Sequence, residues 1–420
     1  SKEKPQKSET DSTPSVTLVF RHGKISGYEG YFKHLLAEFT RTHPGIQVKD
    51  ESMPWDVGQQ HQLYAINLEG KSDSFDIMGM DVIWISEFAR AGWIHDLTSL
   101  YSPELQKEYL PSTIQAVTYQ GKVYAVPWFT DSGLLYYRKD LLEKYGYPRP
   151  PETWEELTAM SHKILDREKN PSLTGFVWQG KQYEGLVCDA MEFLGSNGVQ
   201  VVDAHGHWTL DEKKAEESLQ LMLNLLYRDK ISPMLVLSAD EEATRHIFGN
   251  GQAIFLRNWP YAYALFNKGD SQVKGQFGVA PLPRFKKGQH VGTLGGWFLG
   301  VNRYSQHPKE AFEFAKYLTS AKVQKDLFKK VGYLPTQTRL YRDSELLWTH
   351  PHLASMEEIL QKAKPRPVTP FYLGVSEVLQ SEFSAVLAQI KTPRQALRDI
   401  RVQVEPMMKE SSGFQVSTSK

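Results

Sequence analysis

The sequence predicts an α/β protein built from more than one domain. Three observations lead there. Short β-branched or apolar runs alternate with amphipathic stretches from Val16 to Met80. The chain has 420 residues, and at about 100–200 residues per domain it calls for two or three. It is 40% hydrophobic and 12% aromatic, enough to build packed cores, which excludes global disorder. Charge narrows the function classes. Forty-nine Lys and Arg balance 49 Asp and Glu, for a net charge of zero. Proteins that wrap nucleic acid or ride anionic membranes are normally strongly basic, so neither partner is expected. The single cysteine, Cys188, excludes an internal disulfide and a cysteine-based zinc cage. No uninterrupted apolar run approaches the ~18 residues of a membrane span.

Each element follows from a local pattern. Residues 1–15 (SKEKPQKSETDSTPS) hold charge, Ser, Thr and Pro but no large apolar side chain, so a flexible leader is expected there. Val16–Phe20 (VTLVF) reads as the first strand. A glycine-containing loop, Arg21–Gly27, leads to a helix from about Tyr28. In it Phe32, Leu35, Leu36 and Phe39 recur at i, i+3, i+4 and i+7, one buried stripe. His43-Pro44-Gly45 stops that helix. Ile46–Ser52 is a second strand, Gln59–Leu68 a second helix, and Phe75–Met80 a third strand with Asp81 at its carboxyl end. Strand, helix, strand, helix, strand is the signature of a largely parallel sheet covered on both faces.

Further on, Tyr124–Phe129 and Leu134–Tyr137 look extended, and Thr130–Gly133 between them reads as a polar break where the chain crosses between lobes. Lys139–Tyr145 is a short helix ended by Gly146. Thr153 and Glu156 have capping-box spacing before a helix to about Leu165. Helices are expected at Tyr183–Leu194, Asp211–Asp229, Pro308–Thr319, Ala321–Lys330, Ser376–Ile390 and Pro393–Val404. Strands are expected at Gln252–Phe255, Gly275–Val279 and Trp297–Val301. The last ten residues, 411–420, read as a flexible tail.

Several catalytic signatures are absent: a phosphate-binding G-x-x-x-x-G-K-[ST] loop, a strand followed by G-x-G-x-x-G, H-E-x-x-H and G-x-S-x-G. His205-Gly206-His207 reads as a glycine-containing hairpin turn without a third ligand at matching spacing, so no metal site is expected. What recurs instead is an aromatic residue beside a carboxylate, glycine or arginine. Examples are Asp81 with Trp84, Trp128 with Asp131, Trp178 with Tyr183 and Glu184, Asn258-Trp259-Pro260-Tyr261, Gly295-Gly296-Trp297, and Arg366 with Phe371 and Tyr372. Such a lining suits a sugar. Its C–H face packs on a ring, and its hydroxyls donate to carboxylates and accept from an arginine fork.

On these residues the chain resembles the bacterial and archaeal extracellular solute-binding proteins of ABC importers, family one, and within it the trehalose/maltose-binding branch. The stretches that carry the resemblance are Met80–Trp93, Gly133–Leu157, Gly175–Gly198, Arg257–Tyr263, Phe277–Phe285, Thr293–Trp297 and Arg366–Tyr372. The resemblance implies a two-lobed periplasmic-binding-protein-like fold (type II), each lobe a mainly parallel sheet flanked by helices, joined by a hinge of several crossing segments. One lobe would take residues 16–130 and 298–334, the other 131–297 and 335–410. The implied function is capture of an α-glucoside by hinge closure and delivery to the transmembrane subunits of an ABC permease. No catalysis, cofactor or metal is implied. The protein would act as a monomer, in the periplasm or as a lipoprotein on the outer face of the cytoplasmic membrane.

Binding roles follow position by position. Asp81 and Asp131 match carboxylates that accept from sugar hydroxyls, Asp81 having a helix N-cap as its plainer role. Trp259 and Tyr261 match a ring-stacking pair. Gly295, Gly296 and Trp297 match a wall that the ligand approaches closely. Arg366 matches a hydroxyl-binding arginine, with Tyr372 on the same wall. Tyr183 and Glu184 either touch the ligand or support the cleft. The smaller lobe departs from the branch. Its first loop, HGKISGYEGY, offers Lys24, Tyr28 or Glu29, and its second, SMPWDVGQQH, adds Trp55. The second moiety therefore stays open: glucose, fructose, or a polyol such as glycerol.

Overall fold

The computed structural model describes residues 15–24, 29–54 and 56–412. The expected leader up to residue 14, Tyr28, Trp55 and the tail from residue 413 lie outside the described residues. The chain opens as its pattern dictates: β1 (Val16–Gly23), α1 (Glu29–Thr42), β2 (Ile46–Met53), α2 (Val57–Glu69) and β3 (Ile77–Asp81). The α1 stripe buries Phe32, Leu35 and Phe39, while Leu36 is half-buried at its edge.

β1 pairs in parallel with both β2 and β3. These three strands form one side of a seven-stranded sheet, ordered Leu334–Pro335, Val126–Ser132, Gly292–Val301, β3, β1, β2, with Ala363–Lys364 added beside Gly292–Val301. A second sheet of four strands runs Phe277–Ala280, Leu134–Arg138, Ala253–Asn258, Thr174–Val177. Each sheet has its own hydrophobic core. One gathers Leu18, Phe20, Phe39, Met80, Phe298 and Phe314. The other gathers Tyr136, Trp154, Phe176, Phe255 and Phe383. The fold is therefore α/β with two lobes, of type II.

Two expectations need correction. The sheets are mixed rather than mainly parallel. Gly292–Val301 runs antiparallel to β3 and to Val126–Ser132, and Leu134–Arg138 runs antiparallel to both of its neighbours. The cause is the crossing: strands that belong to the junction enter each sheet from the other lobe, against the direction of the βαβ units. Thr130, Asp131 and Ser132 are also not a break. They complete the strand Val126–Ser132, and only Gly133 separates it from Leu134–Arg138 in the other sheet. Gly133 is required there, because a Cβ would fall 1.7 Å from the Glu192 carboxylate. The chain passes from one sheet to the other at Gly133, the last residue of the expected crossing.

Smaller differences are local. The Pro393 helix runs through Ser412, two residues into the expected tail. At the helix Trp154–Glu168, Thr153 Oγ1 accepts from the Glu156 N–H at 3.2 Å, but the Glu156 carboxylate accepts from Glu152 rather than Thr153. Cys188 is buried on the helix Glu184–Gly195, and its thiol is pushed up to about 12 by burial.

Candidate ligand-binding cleft

The carboxyl ends of β1 and β3 and the strands that cross between the sheets converge at the junction of the lobes, where open α/β sheets offer a crevice. Asp81 ends β3 and caps the turn Val82–Trp84, its Oδ1 accepting from the Ile83 N–H at 3.2 Å. The capping role is thus real. Burial pushes the Asp81 carboxyl up, and the Arg366 guanidinium opposes that shift. Arg366 reaches this corner from the other lobe. Its Nη1 donates to Glu184 Oε1 at 2.8 Å, while its buried Nε has no hydrogen-bond partner. The Tyr372 and Ser376 hydroxyls also donate to the Glu184 carboxylate. Glu184 is therefore the anchor that holds Arg366, and Tyr372, only 2% exposed, supports it from beneath. Tyr183 is tied away, its hydroxyl donating to Glu241.

A second group surrounds Asp131. Asp131 pairs across the sheet with Gly295. A Cβ on Gly295 would lie 3.2 Å from Asp131 Cβ and 3.3 Å from Trp259 Cζ3, so the glycine backbone, the Asp131 side chain and the edge of the indole meet at one point. Gly296 has φ +112°, and a Cβ there would be 2.3 Å from the Phe129 carbonyl oxygen. Only glycine fits that backbone. Burial pushes the Asp131 carboxyl up to about 7, against the pull of Arg257. Trp259 stands between the strand Ala253–Asn258 and the helix Tyr261–Phe266. The Tyr136 hydroxyl donates to its carbonyl at 2.7 Å and its own N–H donates to Asn258 Oδ1 at 2.8 Å. Tyr261 is 41% exposed and donates to Glu242 Oε1 at 2.8 Å.

Beneath Trp259 lies a buried ion cluster. Arg257 Nε and Nη2 donate to the two Glu192 oxygens at 2.6 and 2.9 Å, and Nε lies 2.9 Å from Asp189 Oδ1. The Arg257 guanidinium sits 4.4 Å from the Trp259 ring centroid. Glu192 Oε2 accepts from the Thr293 N–H at 2.9 Å. One carboxylate thus joins the crossing strand to the arginine under the ring. Burial pushes both Asp189 and Glu192 up, and Arg257 opposes it.

The third group belongs to the smaller lobe. A cavity of about 220 Å³ opens at the end of β1, lined by His22, Lys24, Gln60, Phe129, Trp297 and Tyr333 among others. Phe129 and Tyr333 stack with centroids 4.4 Å apart and planes 9° apart. Trp297 meets Trp84 edge to face at 5.9 Å. Lys24 is exposed at the rim.

The family model of bacterial extracellular solute-binding proteins matches residues 25–325. The chain belongs to that family. Maltose-bound MalE3 of T. maritima is 39% identical, with a TM-score of 0.78 over 94% of this chain and 100% of that one. A probable ABC transporter-binding protein of Deinococcus radiodurans is 38% identical over 93% of both chains. The cyclic α-maltosyl-1,6-maltose binding protein of Arthrobacter globiformis, at 21% identity and a TM-score of 0.80 over 94% of this chain and 99% of that one, shares the fold. Among the described residues no helix is long and apolar enough to cross a membrane.

For this solute-binding protein, the structure brings Asp81, Arg366, Glu184 and Tyr372 into one corner and Asp131, Trp259, Gly295 and Gly296 into another. Trp297 and Lys24 stand at the small-lobe cavity, and Tyr183 and Tyr261 are held by their own carboxylate partners. Trp84, Trp128 and Trp178 correct the sequence pattern. They are 1%, 2% and 0% exposed, so a neighbouring acid in sequence does not make a sugar surface, and of the three only Trp128 lines the small-lobe cavity. Sequence reasoning missed Phe129, Tyr333, His22 and the Arg257 cluster. Arg257 carried a usable signal, since a guanidinium inside the apolar run AIFLRN requires buried partners. Tyr333 carried none, because its stacking partner is distant in sequence.

Proposed function

We propose that the protein captures an α-glucoside such as trehalose or maltose by hinge closure and passes it, chemically unchanged, to the transmembrane subunits of an ABC permease. It does so as a monomer outside the cytoplasmic membrane, in the periplasm or tethered by lipid. The observation that carries this reading is the meeting of Asp131, Gly295 and Trp259 within van der Waals distance at the crossing of the chain. A sugar lying beside this junction would meet the indole with its C–H groups and the Asp131 carboxylate with its hydroxyls. Across the cleft Asp81 accepts further hydroxyls, and on the same side as Trp259 the Arg366 Nε, which has no hydrogen-bond partner, donates to a ligand oxygen. The maltose bound to the 39% identical MalE3 supports a glucosyl unit.

A glucosyl-polyol or sucrose is the second reading. The small-lobe cavity favours it, for among its described lining residues ring faces, Lys24 and Gln60 stand without any carboxylate to select one hydroxyl pattern. At about 220 Å³ it lies below the 300–1,000 Å³ of whole-ligand pockets, so it takes one small unit.

A thermal-shift panel of maltose, trehalose, sucrose and glucosylglycerol tests the reading, since a ligand specific to the folded form raises the melting temperature by mass action. At least one should do so, and the sugar should be recovered intact. Silence across the panel removes the sugar. Hydrolysis at enzyme-like rates replaces capture with glycoside hydrolysis.

A further inference from the structure

A larger cavity, of about 540 Å³, lies away from Trp259 and Asp131, at the junction of the lobes. Ser112 and Gln115 form one wall, on the helix Pro111–Val117, whose Ala116 and Val117 pack in the core beneath the seven-stranded sheet. Arg284 and His290 form another, on the loop after Phe277–Ala280, whose Phe285 packs against the other core. Lys362 and Lys364 form the third, at the short strand Ala363–Lys364 that pairs with the crossing residues Gly292 and Thr293.

The charge here is one-sided. Among the described residues no Asp or Glu lines the cavity, while two lysines, an arginine and a histidine do. Lys362 has a partner outside, Glu358, at 2.9 Å. Arg284 spends Nη1 on the carbonyls of Phe285 and Lys286 and forms no ion pair among the described residues. The Lys364 ammonium has neither an ion pair nor a hydrogen bond among the described residues. Its ammonium is held below its usual range by burial alone, with no charged group opposing the shift. A partly buried cation without a counter-charge is costly, and a chain of this composition has as many acids as bases to place there. His290 Nδ1 bonds to the Leu282 carbonyl at 2.7 Å, which fixes its hydrogen on Nδ1 and the ring in place. Ser112 and Gln115 add polar side chains to the rim.

We propose that this cavity binds a small tetrahedral oxyanion, inorganic phosphate or the phosphate of a monoester, with Lys364 and Arg284 as its main charged contacts and Lys362 and Gln115 completing the shell. Arginine and lysine together suit that ligand, the fork giving directed bonds and the ammonium a compact charge. The site is separate from the sugar cleft and stands whether or not the cleft takes a sugar.

The test is a melting experiment on the whole protein in chloride buffer, with inorganic phosphate, sulfate or glycerol phosphate added at about 10 mM and ionic strength matched by chloride. Phosphate should raise the melting temperature by about 1–3 °C over matched chloride. A larger rise with glycerol phosphate identifies the ester as the source, and an equal or smaller one identifies the free ion. Lys364→Met should lose most of the rise, and Arg284→Gln serves as a second variant if the first does not fold. No rise beyond matched chloride with any of the three anions overturns the proposal. So does a full rise retained by a folded Lys364→Met or Arg284→Gln.

Discussion

The two walls of the cleft manage polarity in different ways. On the four-stranded lobe, charges are spent on one another. Arg257 is locked to Glu192 and Asp189, and Arg366 to a Glu184 that also accepts from Tyr372 and Ser376. On the seven-stranded lobe a ring-lined cavity (Trp297, Phe129, Tyr333) stands apart from Asp81 and Asp131, two carboxylates pushed up by burial. The first wall is a rigid frame that presents Trp259 and Arg366. The second supplies acceptors that a guest can satisfy. The number of charges near a cleft is therefore a poor guide to which of them recognise the ligand.

The largest expected effect attacks the frame. Arg257→Met leaves two buried carboxylates without their cation and should cost about 3–5 kcal/mol of stability, read by chemical denaturation. A loss below about 1 kcal/mol, within the range of surface pairs, would dissolve the distinction between the walls. Next comes the platform that the frame presents. Trp259→Ala should weaken binding of the sugar identified by the melting panel by about 2 kcal/mol, roughly thirtyfold, in calorimetry, while the unliganded melting temperature stays near that of the parent.

The small-lobe cavity should show a milder response. Tyr333→Ala removes the ring stacked on Phe129 and should cost about 1 kcal/mol of affinity for a two-unit ligand. It should spare a monosaccharide held at Trp259. Equal losses for both would place the second unit elsewhere.

A separate test, read in stability rather than affinity, is the pH response of Asp131. Its folded-state pKa of about 7 lies above the ordinary value of 3.8. Between pH 4 and 7 the folded protein binds more protons at this site than the unfolded chain does, so stability falls as pH rises through that window. Asp131→Asn should remove this part of the decline. The variant should melt close to the parent at pH 4 and gain on it toward pH 7. A constant difference between the two across that window would contradict the burial assigned to Asp131.

Much of this was legible in the sequence for identifiable reasons. Phe32, Leu35 and Phe39 gave α1 because a helix face has one period. The position of Asp81 at the end of β3 was readable from the strand pattern. Trp259, Gly295 and Gly296 were singled out through the resemblance, and the backbone at Gly296 admits only glycine. Thr130 and Ser132 misled because polarity looks like a loop. Inside a mixed sheet the ladder satisfies the backbone, and both side chains are buried. Trp84, Trp128 and Trp178 misled because adjacency to an acid in sequence says nothing about which way a ring faces. The Phe129–Tyr333 stack and the Glu192–Thr293 bond are tertiary and leave no local trace.

The central claim is that a glucoside rests on the Trp259 ring, beside Asp131 and facing Asp81. Calorimetric titration of maltose and trehalose into the parent protein and Trp259→Ala, at a pH above 7 where Asp131 is ionised, tests it most directly. The account predicts saturable one-to-one binding of at least one of the two sugars to the parent, and a roughly thirtyfold loss in a variant that still folds. Equal affinity in the two proteins, or no heat from either sugar with the parent, would contradict it.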